Sequence, residues 1–195
     1  YFSSKDIGYM AKSWYFPYDT SRFCLLKTTD GGENWFGLNS PPQKFWPISS
    51  VHFIDDTGWL TTSHNLAWGG GGRIYKTTDG GHSWQFQFEM TRPFGRPGRL
   101  HLSLHFINSN VGWAVGGGSW GDTLSGNTGL YRIIFNTTNG GTDWNIQLQD
   151  SIIGSGSSYD YLLLDVQFTD SSNGWAVGEG GNILRTTNGG LNWID

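Results

Sequence analysis

The chain has 195 residues, with 30 glycines, 11 tryptophans and a single cysteine, and only 14% of it is charged. This is too aromatic and too poor in charge for a disordered chain. The glycines show no three-residue period, and one cysteine supplies no disulfide framework. A net charge of −4 argues against a nucleic-acid partner, which needs a basic face, and no apolar run reaches the roughly 18 residues of a membrane span.

In chain order, two phrases alternate. The first is an aromatic residue, a short polar turn, Gly-aromatic and a small apolar run, and it opens the chain as FSSKDIGYMA (2–11). The second follows as KTTDGGENW (27–35). The pair recurs as FIDDTGWLT (53–61) with KTTDGGHSW (76–84), FINSNVGWAVG (106–116) with NTTNGGTDW (136–144), and FTDSSNGWAVG (168–178) with RTTNGGLNW (185–193). The stretches between them alternate with period two: Leu100, Leu102, Leu104 and Phe106; Leu164, Val166 and Phe168; Trp84, Phe86 and Phe88; Trp144, Ile146 and Leu148. That is the pattern of half-buried β-strands. Each unit predicts four strands. Strand A ends at the Phe of the first phrase, B is the Gly-aromatic run, C runs into the Thr pair, and D starts at the closing Trp. Four strands per repeat predict an all-β fold of β-propeller blades, four antiparallel strands each, at approximately 1–38, 39–90, 91–150 and 151–195 of a single domain.

The pattern Thr-x-Asp/Asn-x-Gly-x-x-Trp is the Asp-box. Asp30, Asp79, Asn139 and Asn188 are expected to accept hydrogen bonds from turn N–H groups, and the fifth-position glycine to take a positive φ. Trp35, Trp84, Trp144 and Trp193 are expected to fill the space between sheets, so the boxes read as scaffold. The segment GWAVGEGGNILRTTNGGLNW (174–193) resembles a blade of the photosystem II stability/assembly factor-like propellers, and the resemblance runs through all four repeats. It implies a seven-bladed fold and a scaffold role exercised through an arginine-bearing surface. It also implies a place outside the cytoplasm, since related repeats occur in exported bacterial proteins. Phe2 aligns with Phe53, Phe106 and Phe168, and Asp195 follows Trp193 by two residues. The four blades therefore read as an arc of a larger propeller, with a closed four-bladed ring as the alternative.

Subtracting the box tryptophans and the Gly-Trp residues Trp59, Trp113 and Trp175 leaves Trp14, Trp46, Trp68 and Trp120. Trp14, Trp68 and Trp120 follow strand B, in B–C loops, and Trp46 lies in a D–A linker. Antiparallel strands bring these connections to one face, opposite the boxes. The same face is expected to carry Arg92, Arg96 and Arg99 of RPFGRPGR (92–99) and the glycine-rich segments 116–129 and 153–161. Trp, Tyr and Arg dominate interface hot spots, so a protein partner is the first reading. The second is carbohydrate, stacked on Trp14, Trp68 and Trp120 or cleaved there. A glycosidase needs two carboxylates across the scissile bond; Asp19, Asp122, Asp160 and Glu179 are available, and no spacing selects a pair. No catalytic residue, cofactor or metal site is expected. Among the five histidines His101 and His105 are close in sequence but too far apart along a strand to share an ion. Cys24 reads as a small core residue.

Overall fold

The computed structural model describes residues 1–11, 25–39, 47–63, 72–90, 100–121, 128–153 and 161–195. Alternating apolar and small residues fold these segments into four consecutive antiparallel sheets. Sheet one holds β1 (Gly8–Ala11), β2 (Leu25–Thr28) and β3 (Phe36–Leu38). Sheet two holds β4 (Ile48–Ile54), β5 (Thr57–Ser63), β6 (Gly72–Thr77) and β7 (Gln85–Met90). Sheet three holds β8 (Leu100–Phe106), β9 (Gly112–Gly121), β10 (Thr128–Thr137) and β11 (Asn145–Ile153). Sheet four holds β12 (Leu163–Phe168), β13 (Gly174–Gly178) and β14 (Ile183–Thr186). Each is a simple up-and-down meander, and together they form a partial β-propeller. Among the described residues sheets one and four show three strands each, with the single bridges Phe2–Gly8 and Arg185–Ile194 beside them. A 3-10 turn at Glu179–Gly181 joins β13 to β14. Among the described residues no helix is long and apolar enough to cross a membrane.

Two local readings of the sequence are corrected. Strand β9 runs to Gly121, so much of 116–129 is paired strand rather than loop, and Trp120 sits within it opposite Gly129. Glycine makes this possible, because a Cβ at Gly116 or Gly117 would collide with the carbonyl oxygens of His101 and Tyr131 on the flanking strands. Leu164 does not share the buried face of Val166 and Phe168. A register shift between Leu163 and Asp165 turns Leu163 inward and leaves Leu164 exposed. Similar shifts between Ile74 and Tyr75, and between Ile134 and Phe135, accompany the outward turn of Phe86 and Ile146.

Among the described residues no sheet has a core of its own. The buried residues form three clusters, one at each junction between neighbouring sheets. One arrangement repeats at every junction. The aromatic residue that follows the strand-B glycine stacks on the Phe that ends the next sheet's first strand. Tyr9 stacks on Phe53 (centroids 3.7 Å apart, planes at 2°), Trp59 on Phe106 (3.6 Å, 9°) and Trp113 on Phe168 (3.4 Å, 7°). The closing Trp of each sheet meets its own Phe edge-on, as Trp35 with Phe2, Trp84 with Phe53, Trp144 with Phe106 and Trp193 with Phe168. The third side of each Phe ring lies on glycine: a Cβ at Gly8, Gly58, Gly112 or Gly174 would overlap the ring. The indole N–H of Trp59 donates to the Gly140 carbonyl at 2.9 Å, and that of Trp113 to the Gly189 carbonyl at 3.2 Å, tying each stack to the next sheet's turn.

The C–D turns are built around a threonine. Thr28 Oγ1 donates to Asp30 Oδ1 at 2.7 Å and accepts from the Gly32 N–H at 2.9 Å, and Asp30 Oδ1 accepts the Asn34 N–H at 2.9 Å. Thr77, Thr137 and Thr186 make the same two bonds, to Asp79 and Gly81, Asn139 and Gly141, and Asn188 and Gly190. Both glycines of every turn have φ between +68° and +98°, a region that only glycine adopts without strain. The first of them donates its N–H to the A–B turn of its own sheet, at the carbonyls of Asp6, Asp56, Asn110 and Ser172. These bonds hold the Asp30 carboxyl down at about 2, chiefly through the Asn34 N–H and side-chain amide, and hold Asp79 well below the usual carboxylate range through Ser83 and Thr77.

Two substitutions test this construction by urea unfolding. Thr137→Val keeps the shape of a buried side chain but strands the Gly141 N–H, and is expected to cost about 1–3 kcal/mol. Trp113→Ala removes a stack at a fully packed junction and is expected to cost about 3–5 kcal/mol. A loss of less than half a kcal/mol in either would show that the feature is not needed.

Candidate functional site

The antiparallel pairing puts the strand ends that lead into 12–24, 40–46, 64–71, 91–99, 122–127 and 154–160 at one end of the sheets, and the four C–D turns at the other. Trp14, Trp46, Trp68, Arg92, Arg96 and Arg99 lie in those segments, outside the described residues, as do Asp19, Asp122, Asp160 and Cys24. Trp120 is placed by its backbone alone, on β9.

The described part of this end holds a polar cluster where sheets three and four meet. Arg132, on β10, is buried. Its guanidinium reaches Asp150 Oδ2 at 3.5 Å, Asp195 Oδ1 at 3.6 Å and Asn182 Oδ1 at 3.3 Å, and lies 4.7 Å from the centre of the Tyr161 ring. The Tyr161 hydroxyl donates to Asp150. Burial and that carboxylate push the Tyr161 pKa up, against the pull of Arg132. Asn182 donates to the Glu179 carbonyl, fixing the 3-10 turn. Arg132 Nε and Glu179 Oε2 are buried without a partner among the described residues. With two carboxylates already beside its one guanidinium, the cluster is a brace between sheets and not an anion receptor. Arg132 and Tyr161 stood in the sequence without a motif to mark them. Asp150 became visible as a partner only through its cross-strand register with Arg132.

A second group lines the first strands of the sheets. His52 on β4 and His105 on β8 are 5.0 Å apart, edge to face, with the Tyr1 ring 4.9 Å beyond His52. His105 Nδ1 accepts the Phe168 N–H at 3.3 Å, and Ser103 Oγ donates to Asp165 Oδ1 at 2.9 Å. His101 turns instead to the Leu164 carbonyl. Burial, and then the proximity of His105, pull the His52 pKa down to about 4. Burial also lowers His105, with Asp165 pulling the other way. The sequence could not pair His52 with His105, because the pair joins two different repeats. Among the described residues no group of three His, Cys, Asp or Glu converges as a metal site requires.

No family model matches the chain. It is 27% identical over 144 residues to the photosystem II assembly lipoprotein Ycf48 of Synechococcus sp. (strain CC9902), covering 69% of this chain and 41% of that protein. It also superposes on a solved structure of Ycf48 bound to a D1 peptide, with a TM-score of 0.51 and 18% identity over 100% of this chain and 64% of that one. The chain resembles the photosystem II assembly factor-like family. It spans about two fifths of the length of the curated Ycf48 it matches. An α-L-arabinofuranosidase from Fusarium graminearum reaches a TM-score of 0.46 at 13% identity, covering 76% of this chain and 47% of the enzyme; similarity at that level says nothing about substrate or mechanism. The repeats carry the junction stacks and turns. The polar cluster and the histidine pair occur once each among the described residues.

The lowered histidine pKa values predict an acid sensitivity of the fold. A histidine whose folded pKa lies below its ordinary 6.5 leaves stability intact above that value. Stability is lost as the pH falls from 6.5 toward 4, because the unfolded chain takes up a proton that the folded one resists. The turn carboxylates act in a lower window, where stability falls as they protonate below their ordinary 3.8. Urea unfolding at pH 7.5 and 4.5 is expected to show a drop that His52→Gln reduces. An equal drop in the variant would assign the sensitivity to other groups.

Proposed function

We propose that the chain is a non-catalytic assembly scaffold that works outside the cytoplasm and binds a segment of a protein partner. The partner docks on the sheet end from which the B–C and D–A connections leave. The observation that carries this reading is the 27% identity over 144 residues to a photosystem II assembly lipoprotein; a lipoprotein relative is compatible with an extracytoplasmic place. The solved Ycf48 bound to a D1 peptide supports a peptide segment as the kind of partner. On this chain the groups suited to such a ligand are Trp14, Trp46, Trp68 and Trp120, which supply flat apolar contact, and Arg92, Arg96 and Arg99, which supply charge. Arg132 is not one of them, since Asp150 and Asp195 already neutralise it.

The test is titration of a fluorescent D1 peptide into the chain. Saturable binding is expected, weakening with added salt. Replacing Arg92, Arg96 and Arg99 together with alanine is expected to raise Kd by about tenfold or more. Trp68→Ala is expected to weaken binding without changing its salt dependence. No binding would overturn the peptide reading. Binding indifferent to all of these substitutions would move the site to another surface.

A further inference from the structure

The residue just before a strand-ending Phe reaches across to the Phe of the next sheet. The Tyr1 hydroxyl donates to the Phe53 carbonyl at 2.8 Å, His52 hydrogen-bonds the Phe106 backbone, and His105 Nδ1 accepts the Phe168 N–H at 3.3 Å. Tyr1 donates in its contact, whereas His105 accepts. A neutral imidazole has one N–H and one free lone pair. Since Nδ1 accepts from Phe168, the proton of neutral His105 sits on Nε2. A further proton can then enter only at Nδ1, where it meets the Phe168 N–H head on. His105 cannot become charged and keep this bond.

Phe168 is the centre of the junction between sheets three and four. Trp113 stacks on its ring and Trp193 meets it edge-on. Three residues earlier on the same strand, the Asp165 carboxylate accepts the Ser103 hydroxyl and favours a charge on His105. The other ionisable groups on the surrounding elements are turned elsewhere or carry no negative charge. His52 faces His105 from β4, with the Tyr1 ring beyond it. His101, on the same strand, is turned to the Leu164 carbonyl. Asp170, on the turn after β12, is held by Ser172 and Asn173. On β6, Lys76 lies over Trp59 and Arg73 pairs with Glu89. Strands β5 and β9 carry no ionisable side chain.

We propose that His105 is a proton-operated latch on the junction between sheets three and four. When neutral, it holds Phe168 through Nδ1. When protonated, it releases the Phe168 N–H and turns toward Asp165, and the stack of Trp113 on Phe168 loosens. At the other end of the junction Tyr161 and Asn182, on the side of sheet four, keep hold of Arg132 of sheet three. The two sheets therefore part at one end only. The latch opens below the ordinary histidine value of 6.5, because burial lowers His105 more than Asp165 raises it.

An NMR titration of the nitrogen-15-labelled chain tests this. At neutral pH the His105 ring is expected to carry its proton on Nε2, with Nδ1 bare. As the pH falls, the Phe168 amide and the Trp113 indole N–H resonances are expected to move with the His105 midpoint, while the far-UV spectrum holds. His105→Gln introduces the residue type that the repeat already has at position 167. Its side-chain carbonyl accepts the Phe168 N–H without titrating, so the movement of both resonances is expected to disappear. Asp165→Asn is expected to lower the His105 midpoint by about one pH unit. The proposal is overturned by a neutral His105 protonated on Nδ1, by a Phe168 amide that does not follow the His105 midpoint, or by the same movement in His105→Gln. Unfolding of the whole chain at that midpoint overturns it as well.

Discussion

A phenylalanine held between two larger aromatics, with a glycine beneath it, is the contact on which the rest of the structure depends. Each sheet is too thin to bury anything by itself, so its apolar side chains count only when a neighbour covers them. The stack of Tyr9, Trp59 or Trp113 on the next Phe sets how far one sheet is rotated and offset from the next. Aromatic pairs add about 0.5–1.5 kcal/mol to what their burial contributes, and their geometry is directional. The glycine beneath each stacked Phe, Gly58 under Phe53, Gly112 under Phe106 and Gly174 under Phe168, is a steric condition of the same contact, because any side chain there would occupy the ring's place.

The polar half of the scaffold sits at one end of the sheets. The buried Thr hydroxyl, rather than the acidic residue after it, is the centre of each C–D turn: it gives one hydrogen bond to the Asp or Asn and takes one from the second glycine. The carboxylates of Asp30 and Asp79 are consumed by these turns and are not available for chemistry. At the other end, Arg132 is likewise spent on Asp150 and Asp195. The docking proposed above draws on the connections and not on these groups.

The repeated part of the molecule was legible in the sequence. Phe106 and Phe168 end their strands, Gly112 and Gly174 begin theirs, and each Thr pair closes strand C, because a period that recurs four times leaves little freedom in placing it. What was not legible depends on neighbours that no local pattern contains. Trp120 looked like a loop residue among glycines, yet those glycines let β9 pass closely between its partners. Leu164 followed the alternation perfectly and still faces outward, since a register shift is set by pairing and not by composition. His52 and His105 meet across a sheet boundary, and Arg132 finds Asp150 across a strand pair. Single residues outside the period give no spacing to reason from.

Because every buried cluster of the described residues belongs to a junction and none to a sheet, the free energy of the fold is a sum over neighbours. Sheets two and three are each held at two junctions, so loosening either one relaxes contacts on both of its sides. The stability of the molecule is then a property of its interfaces, spread along the row rather than gathered in one centre.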